Sequence, residues 1–264
     1  MRSCRNEEAI SKPVGTIDPD LDLISFWNGD QPVAALTFYA SHPQSYYGKG
    51  GVTPDTVGLA RNRRTKETGV FHIHFDGAGG NIAAGKFNNG SPEARAALIE
   101  QIHKGMKTAW ENQSRSAIEA GDLGWTSLPT QLPWHGRYTE EQLHTELTSP
   151  DTDTKTRIRS ARDLVYLRRW QDGGKIDLQC LRLGSAHALF FPGELFVEYQ
   201  LAAKASHTDK FVTLAAYGDG GPGYIGTKIS YSQGGYEVGR VSRTSPGVEV
   251  VLMKAIAQLI KPNQ

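Results

Sequence analysis

Glu194 follows the turn-forming pair Pro192-Gly193 and opens the apolar run LFVEYQ. A carboxylate there could hold a metal ion, act as a general base, or sit as a first-turn acid matched to a helix dipole. Tyr224 lies in the glycine-rich stretch GDGGPGYIG, where each Gly costs backbone entropy on folding. A phenol on so permissive a backbone could be a ligand. Tyr236, twelve residues on, could donate a hydrogen bond to a developing oxyanion. Both could equally be loop aromatics that anchor glycine-rich backbone against the core. His42 comes directly after the apolar stretch PVAALTFYA, placed to aim a ring nitrogen into a cleft or to bond a nearby backbone group. His72 and His74 sit two apart in GVFHIHFD, so a strand would turn both rings to one face. That face could be a metal site or the half-buried flank of a core strand. Asp76 ends the run and opens GAGGNIAAG, whose N–H groups could cradle an anion but which lacks the spacing and Lys of a phosphate loop.

Several chemistries find no support. There is no Gly-x-Ser-x-Gly elbow, and GDGGPG lacks the GxGxxG spacing before a helix. Cys4 and Cys180 are too few for a disulfide framework or a thiolate metal motif. Lys plus Arg (29) nearly balances Asp plus Glu (28), which argues against a nucleic-acid surface. Arg157, Arg159, Arg162, Arg168 and Arg169 read as one solvated helix face. No apolar run reaches the roughly 20 residues of a membrane helix. The start MRSCRNEEAISKP has no hydrophobic segment, so as written the chain reads as cytoplasmic.

The elements that must carry these residues alternate between strand and helix. Residues 21–27 and 32–40 flank the turn Asn28-Gly29-Asp30-Gln31 and predict a hairpin, after an irregular lead-in over 1–20. A loop rich in Gly and Pro follows His42, and Asp55 is placed to cap a helix through Glu67. Residues 69–76 predict a strand, and Ser91-Pro92-Glu93 starts a helix reaching to about Glu119. Next come a Pro-containing edge segment over 121–134 and charged helices over 140–148 and 155–171. Strands over 174–184 and 187–193, a helix from Glu194 to Ser206, a strand over 211–218 and a helix from Ser245-Pro246 to before Pro262 complete the pattern. This is an α/β chain with a mixed sheet and packed helices, and no linker divides it into two domains.

Taken in order, the motifs resemble the N-terminal catalytic domain of the neutral/alkaline non-lysosomal ceramidases. LTFYASHP (36–43) followed by PDTVGLA (54–60) resembles that family's strand–His segment and its Asp-x-x-Gly-x-Ala element. FHIHFDGAGGN (71–81) occupies the place of its active-site loop, and FPGELF (191–196) resembles its Pro-Gly-Glu-Phe segment. GYIGT with Tyr236-Glu237 matches the spacing of its two functional tyrosines, and the likeness extends from about Leu21 to Gly239. The resemblance implies a zinc-dependent amidase in which His42, Glu194 and Tyr224 are Zn2+ ligands and Tyr236 stabilises the oxyanion. It implies a small-molecule or lipid-like substrate and bacterial relatives that are exported.

Two departures qualify that implication. The family's further zinc-binding His, in an upstream His-rich motif, has no counterpart here, which reads as an N-terminally truncated domain. Asp76 stands where the family has its active-site serine, so Asp76 would have to orient or deprotonate a water. The alternative is a catalytically inactive remnant with a binding or structural role. A phosphatase-like use of His72, His74 and Asp76 is a third, weaker option.

Overall fold

The computed structural model describes residue 4, residues 6–46, 48, 51–219 and 221–260. The expected lead-in and the 41–55 loop therefore lie partly outside the described residues. The elements run α1 (Glu7–Ser11), β1 (Asp22–Asn28), β2 (Gln31–Tyr39), α2 (Asp55–Thr68), β3 (Phe71–Asp76), α3 (Pro92–Glu111) and β4 (Leu123–Thr130). They continue with α4 (Glu140–Thr148), α5 (Thr154–Gln171), β5 (Ile176–Leu183), β6 (Ala186–Pro192), β7 (Glu194–Leu195) and α6 (Val197–Ala205). β8 (Phe211–Gly218), β9 (Tyr224–Ile225), α7 (Lys228–Gln233) and α8 (Val248–Leu259) end the chain.

Strands form three sheets, in the orders β1-β2-β3, β4-β5-β6-β8 and β7-β9. β1 and β2 make the expected antiparallel hairpin, whereas β2–β3 and β6–β8 are parallel, so the fold is mixed α/β. Period-two alternation sorts the side chains into layers. Phe38 and Ile24 of the first sheet meet Ala188 and Ala215 of the second, with Phe75 and Phe190 at their margin. On the far side of the second sheet, Leu189, Phe191, Val212 and Leu214 pack on α6 and α8 through Tyr199, Leu252 and Ile256. α2 and α3 join through Val57, Ala60 and Met106, and α2 covers β3. The result is four layers, helices outside and two sheets within. Four separate apolar clusters fill the spaces between and beside these layers, and the elements pack as one compact domain.

Four expectations are corrected. Glu194 opens no helix: Gly193, at φ 66°, turns the chain so that Glu194-Leu195 pairs with Tyr224-Ile225, and α6 starts three residues later. Tyr224 is accordingly on a strand, not adrift in a glycine loop. α3 stops at Glu111, with Asn112 as its cap; Asn and Ser side chains in the following NQSRS compete for backbone groups and disfavour helix. Asp55 is not the cap of α2. Its carboxylate, buried, instead accepts from the backbone N–H of Ser45, Tyr46 and Thr56 and ties down the loop beyond His42. Part of the lead-in is the short helix α1, capped by Asn6.

Candidate functional site

The carboxyl ends of the parallel strands β2, β3, β6 and β8 lead to one cluster, as open α/β sheets place their sites. His42 leaves β2 two residues after Ala40. Its ring Nδ1 lies 3.0 Å from the Ile82 carbonyl, and its backbone N–H donates to the same oxygen. Ile82 belongs to the glycine loop that follows β3. That loop is pressed into place on both sides. Gly80 N–H donates to Leu195 O at 2.7 Å, and a Cβ on Gly80 would overlap the Glu194 carbonyl. A Cβ on Gly79 would lie 2.9 Å from Ser41 N. Asn81 accepts from Val197 N–H at 2.9 Å and so supplies, from outside, the cap that α6 lacks. Gln200, fully buried, accepts from Ala78 N–H and donates to Asp18, which Lys204 holds at 2.8 Å. The glycines are there because the loop must touch both the His42 strand end and the Glu194 segment.

β7 and β9 bring the next two groups together. They are two residues each, and Glu194 is in direct register with Tyr224. Glu194 Oε2 lies 2.9 Å from His42 Nε2, and the Tyr224 hydroxyl 3.4 Å from the same nitrogen. The protonation of this cluster follows from its geometry. A carbonyl oxygen only accepts, so the Ile82 contact places a proton on Nδ1. In a neutral imidazole Nε2 then carries a lone pair, aimed at a carboxylate oxygen at hydrogen-bond distance. Two acceptors do not sit 2.9 Å apart without a positive charge between them. Burial alone would push the His42 pKa down, but the Glu194 hydrogen bond and the Ile82 carbonyl outweigh it and raise it. Burial, and then the hydrogen bond and charge of Glu194, raise the pKa of the Tyr224 phenol. In the free protein Tyr224 is therefore a neutral phenol.

No family model matches the chain, and no curated protein matches it. Solved structures do. The chain is similar to a neutral ceramidase from Pseudomonas aeruginosa, with a TM-score of 0.64 and 16% identity over 92% of this chain and 46% of that one. It is likewise similar to a ceramidase complexed with C2, at a TM-score of 0.62 and 16% identity, over 92% of this chain and 48% of that one. The fold is ceramidase-like. The chain spans just under half the length of these two relatives.

Around the three central groups stand three more. Tyr236 packs its ring edge-on to Tyr224, centroids 5.8 Å apart, and is 65% exposed, at the open side of the cluster. Its loop is held by Arg137, which donates to the carbonyls of Val238, Gly239 and Ser242. Asp76 ends β3 with its carboxyl pushed up to about 6 by burial, the charge of His42 acting in the opposite sense. Tyr217 is the residue that the sequence reading missed. Its hydroxyl is 3.5 Å from His42 Nδ1 and its ring meets the imidazole edge-on. Burial and the charges of Glu194 and Asp76 raise its pKa. The structure marks it out: Tyr217, next to last in β8, holds φ at 65°, a conformation that a bulky residue keeps only under constraint.

His72 does not join this group, and His74 reaches only its margin, with Nε2 3.7 Å from Asp76 Oδ1. His72 contacts Thr68 at 3.3 Å and tilts toward Trp110, while His74 contacts Thr37 at 2.9 Å. Burial pushes both down to about 4, so both are neutral. Among the described residues no set of three or more His, Cys, Asp or Glu could hold a metal ion. Among the described residues, a metal at this cluster would use the phenol of Tyr224 beside His42 and Glu194. Their chemistry suits it: an imidazole that gives up its Nε2 proton, a carboxylate and a phenol converge on one point, with Ile82 orienting the imidazole as second partners of metal-bound histidines do.

Proposed function

We propose that the cluster is the active site of a zinc-dependent, ceramidase-like hydrolase that cleaves an amide or related acyl bond in a small or lipid-like substrate. One observation carries the reading: His42 Nε2 lies 2.9 Å from the Glu194 carboxylate, with the Tyr224 hydroxyl 3.4 Å from the same nitrogen. The ceramidase-like fold supports it. His42, Glu194 and Tyr224 would hold the zinc, which when bound would supply a Lewis acid to polarise the acyl carbonyl and activate water. Asp76, with a carboxyl near 6, has a proton affinity suited to taking a proton from water near neutral pH and returning it to a leaving amine. Tyr236 presents a phenol at the open side of the cluster and would donate to the oxyanion. Tyr217 backs the His42 ring and keeps its proton, which restrains the imidazole on the side away from Glu194.

Elemental analysis of the purified chain is the first test. About one zinc per chain, lost in His42→Ala and Glu194→Ala variants that still fold, is the expected result. Absence of stoichiometric metal after zinc reconstitution would overturn the proposal. It would favour the second reading, an inactive relative with a binding role, which the small donor set among the described residues supports. Given turnover of an N-acyl substrate, Tyr236→Phe should lower kcat by about 10²–10³ with little change in KM, the usual cost of one oxyanion donor.

A further inference from the structure

His74 and Asp76 stand two apart on β3, so they share a face of the sheet, while Phe75 between them turns to the second sheet. His74 is 5% exposed. Its Nδ1 lies 2.9 Å from the hydroxyl of Thr37, its partner in register on β2 and itself fully buried. Its Nε2 is buried without a hydrogen-bond partner. Buried side-chain nitrogens are seldom left so, and this one lies 3.7 Å from Asp76 Oδ1. The gap exceeds a hydrogen bond, but only one side of it is fixed. Thr37 pins the imidazole, whereas the Asp76 side chain is 33% exposed and has room to turn. Catalytic hydrogen bonds are often long in an unliganded site and close when it is occupied.

The chemistry of the contact sets its direction. A carboxylate only accepts, so an ionised Asp76 calls for a proton on Nε2. The neutral ring then keeps a lone pair on Nδ1, which the Thr37 hydroxyl can meet. That hydroxyl has two acceptors in reach, Nδ1 at 2.9 Å and the Ile73 carbonyl at 3.3 Å, and the ring is the nearer. Burial, and then the charge of Arg61, hold the ring neutral. Besides Arg61 of α2, the titratable groups that bear on the pair are His42 beyond β2 and Tyr217 of β8.

We propose that His74 is a positioning residue for Asp76: its Nε2–H binds Asp76 Oδ1 and leaves Oδ2 to face the reacting water. Its use in catalysis rests on the hydrolase reading, whereas the pairing itself does not. With Oδ1 engaged, the proton from water goes to Oδ2 and from there to the leaving amine, and His74 neither gains nor loses one. A donor to the carboxylate also favours the ionised form, which keeps a buried Asp76 available as a base.

Nitrogen-15 NMR of the full chain without added metal tests the pairing. At pH 8 Asp76 is ionised, and the ring shifts of His74 should show the proton on Nε2. In Asp76→Ala nothing holds it there, and a share should pass to Nδ1. The carboxyl titration of Asp76, about 6 in the parent, should move upward in His74→Leu and return in His74→Gln, whose amide restores a donor. Given turnover of an N-acyl substrate, His74→Leu should lower kcat about tenfold with KM unchanged. It should also move the acidic limb of the pH profile upward, and His74→Gln should reverse both effects. A proton on Nδ1 in the parent, an unchanged tautomer in Asp76→Ala, or an unmoved carboxyl in a folded His74→Leu would each overturn the proposal. A zinc-free or inactive chain would overturn the hydrolase reading alone and leave the pairing to the NMR.

Discussion

At the scale of single residues, the informative contact joins His42 and Glu194. Ile82 holds a proton of His42 on Nδ1, and the Glu194 carboxylate favours a second proton on the other ring nitrogen. Replacing Glu194 with Gln keeps the shape and removes the negative charge, leaving burial to dominate His42. The His42 pKa, raised in the parent, should fall below its ordinary value once burial is its dominant influence. An NMR titration of the imidazole reads this directly, and an unmoved midpoint would show that Glu194 is not its partner. The candidates His42, Asp76, Glu194, Tyr224 and Tyr236 were all legible as residues in the sequence, because each stands where an apolar run breaks into Gly or Pro. Tyr217 was not, since its constraint is a backbone angle, and a sequence carries no angles.

At the scale of elements, most strands and helices follow from periodicity and caps, and the exceptions are set by contacts distant in sequence. FPGELF reads as a helix start because its apolar spacing suits one. Glu194 instead donates its N–H to Gly223 O and Phe196 donates to Ile225 O, pairings that only the folded chain supplies. The glycine loop after β3 is the part that turns these separate segments into a site. Gly80→Ala should therefore do two things. Its methyl meets the Glu194 carbonyl, so the backbone must shift, at a cost of about 1–3 kcal/mol as for other overpacked positions. The same shift should separate Glu194 from His42 and lower the His42 pKa. Urea unfolding checks the first effect and the imidazole titration the second. A fully stable Gly80→Ala variant with an unmoved titration would mean that the loop is not the clamp described.

At the scale of the whole molecule, three buried neutral histidines govern the response to acid. His72 and His74 are pushed down to about 4 and His135 to about 3, all chiefly by burial. In the unfolded chain they titrate near 6.5, so between that value and 4 the unfolded state binds more protons and stability falls with pH. Each contributes up to about 1.4 kcal/mol per pH unit in that window. Asp76 acts in the opposite direction, because its folded pKa of about 6 exceeds its ordinary 3.8, and the raised His42, Asp22 and Asp163 act with it. The large downward shifts of the three histidines outweigh these, so Tm should decline from pH 7 to pH 5. A flat or rising Tm over that range would mean that the histidines are solvated.

The β-sheet layers place four strand ends on one point, and on that point the chain has set a gap for one unit of positive charge. In the free protein a proton on His42 fills it, favoured by Glu194. A proton on Nε2 and a divalent cation beside it are mutually exclusive occupants, so the arrival of either expels the other. If it holds a metal as proposed, such a site would behave as an ion exchanger rather than as a simple receptor: its hold on the metal would weaken in acid without any side chain leaving its place.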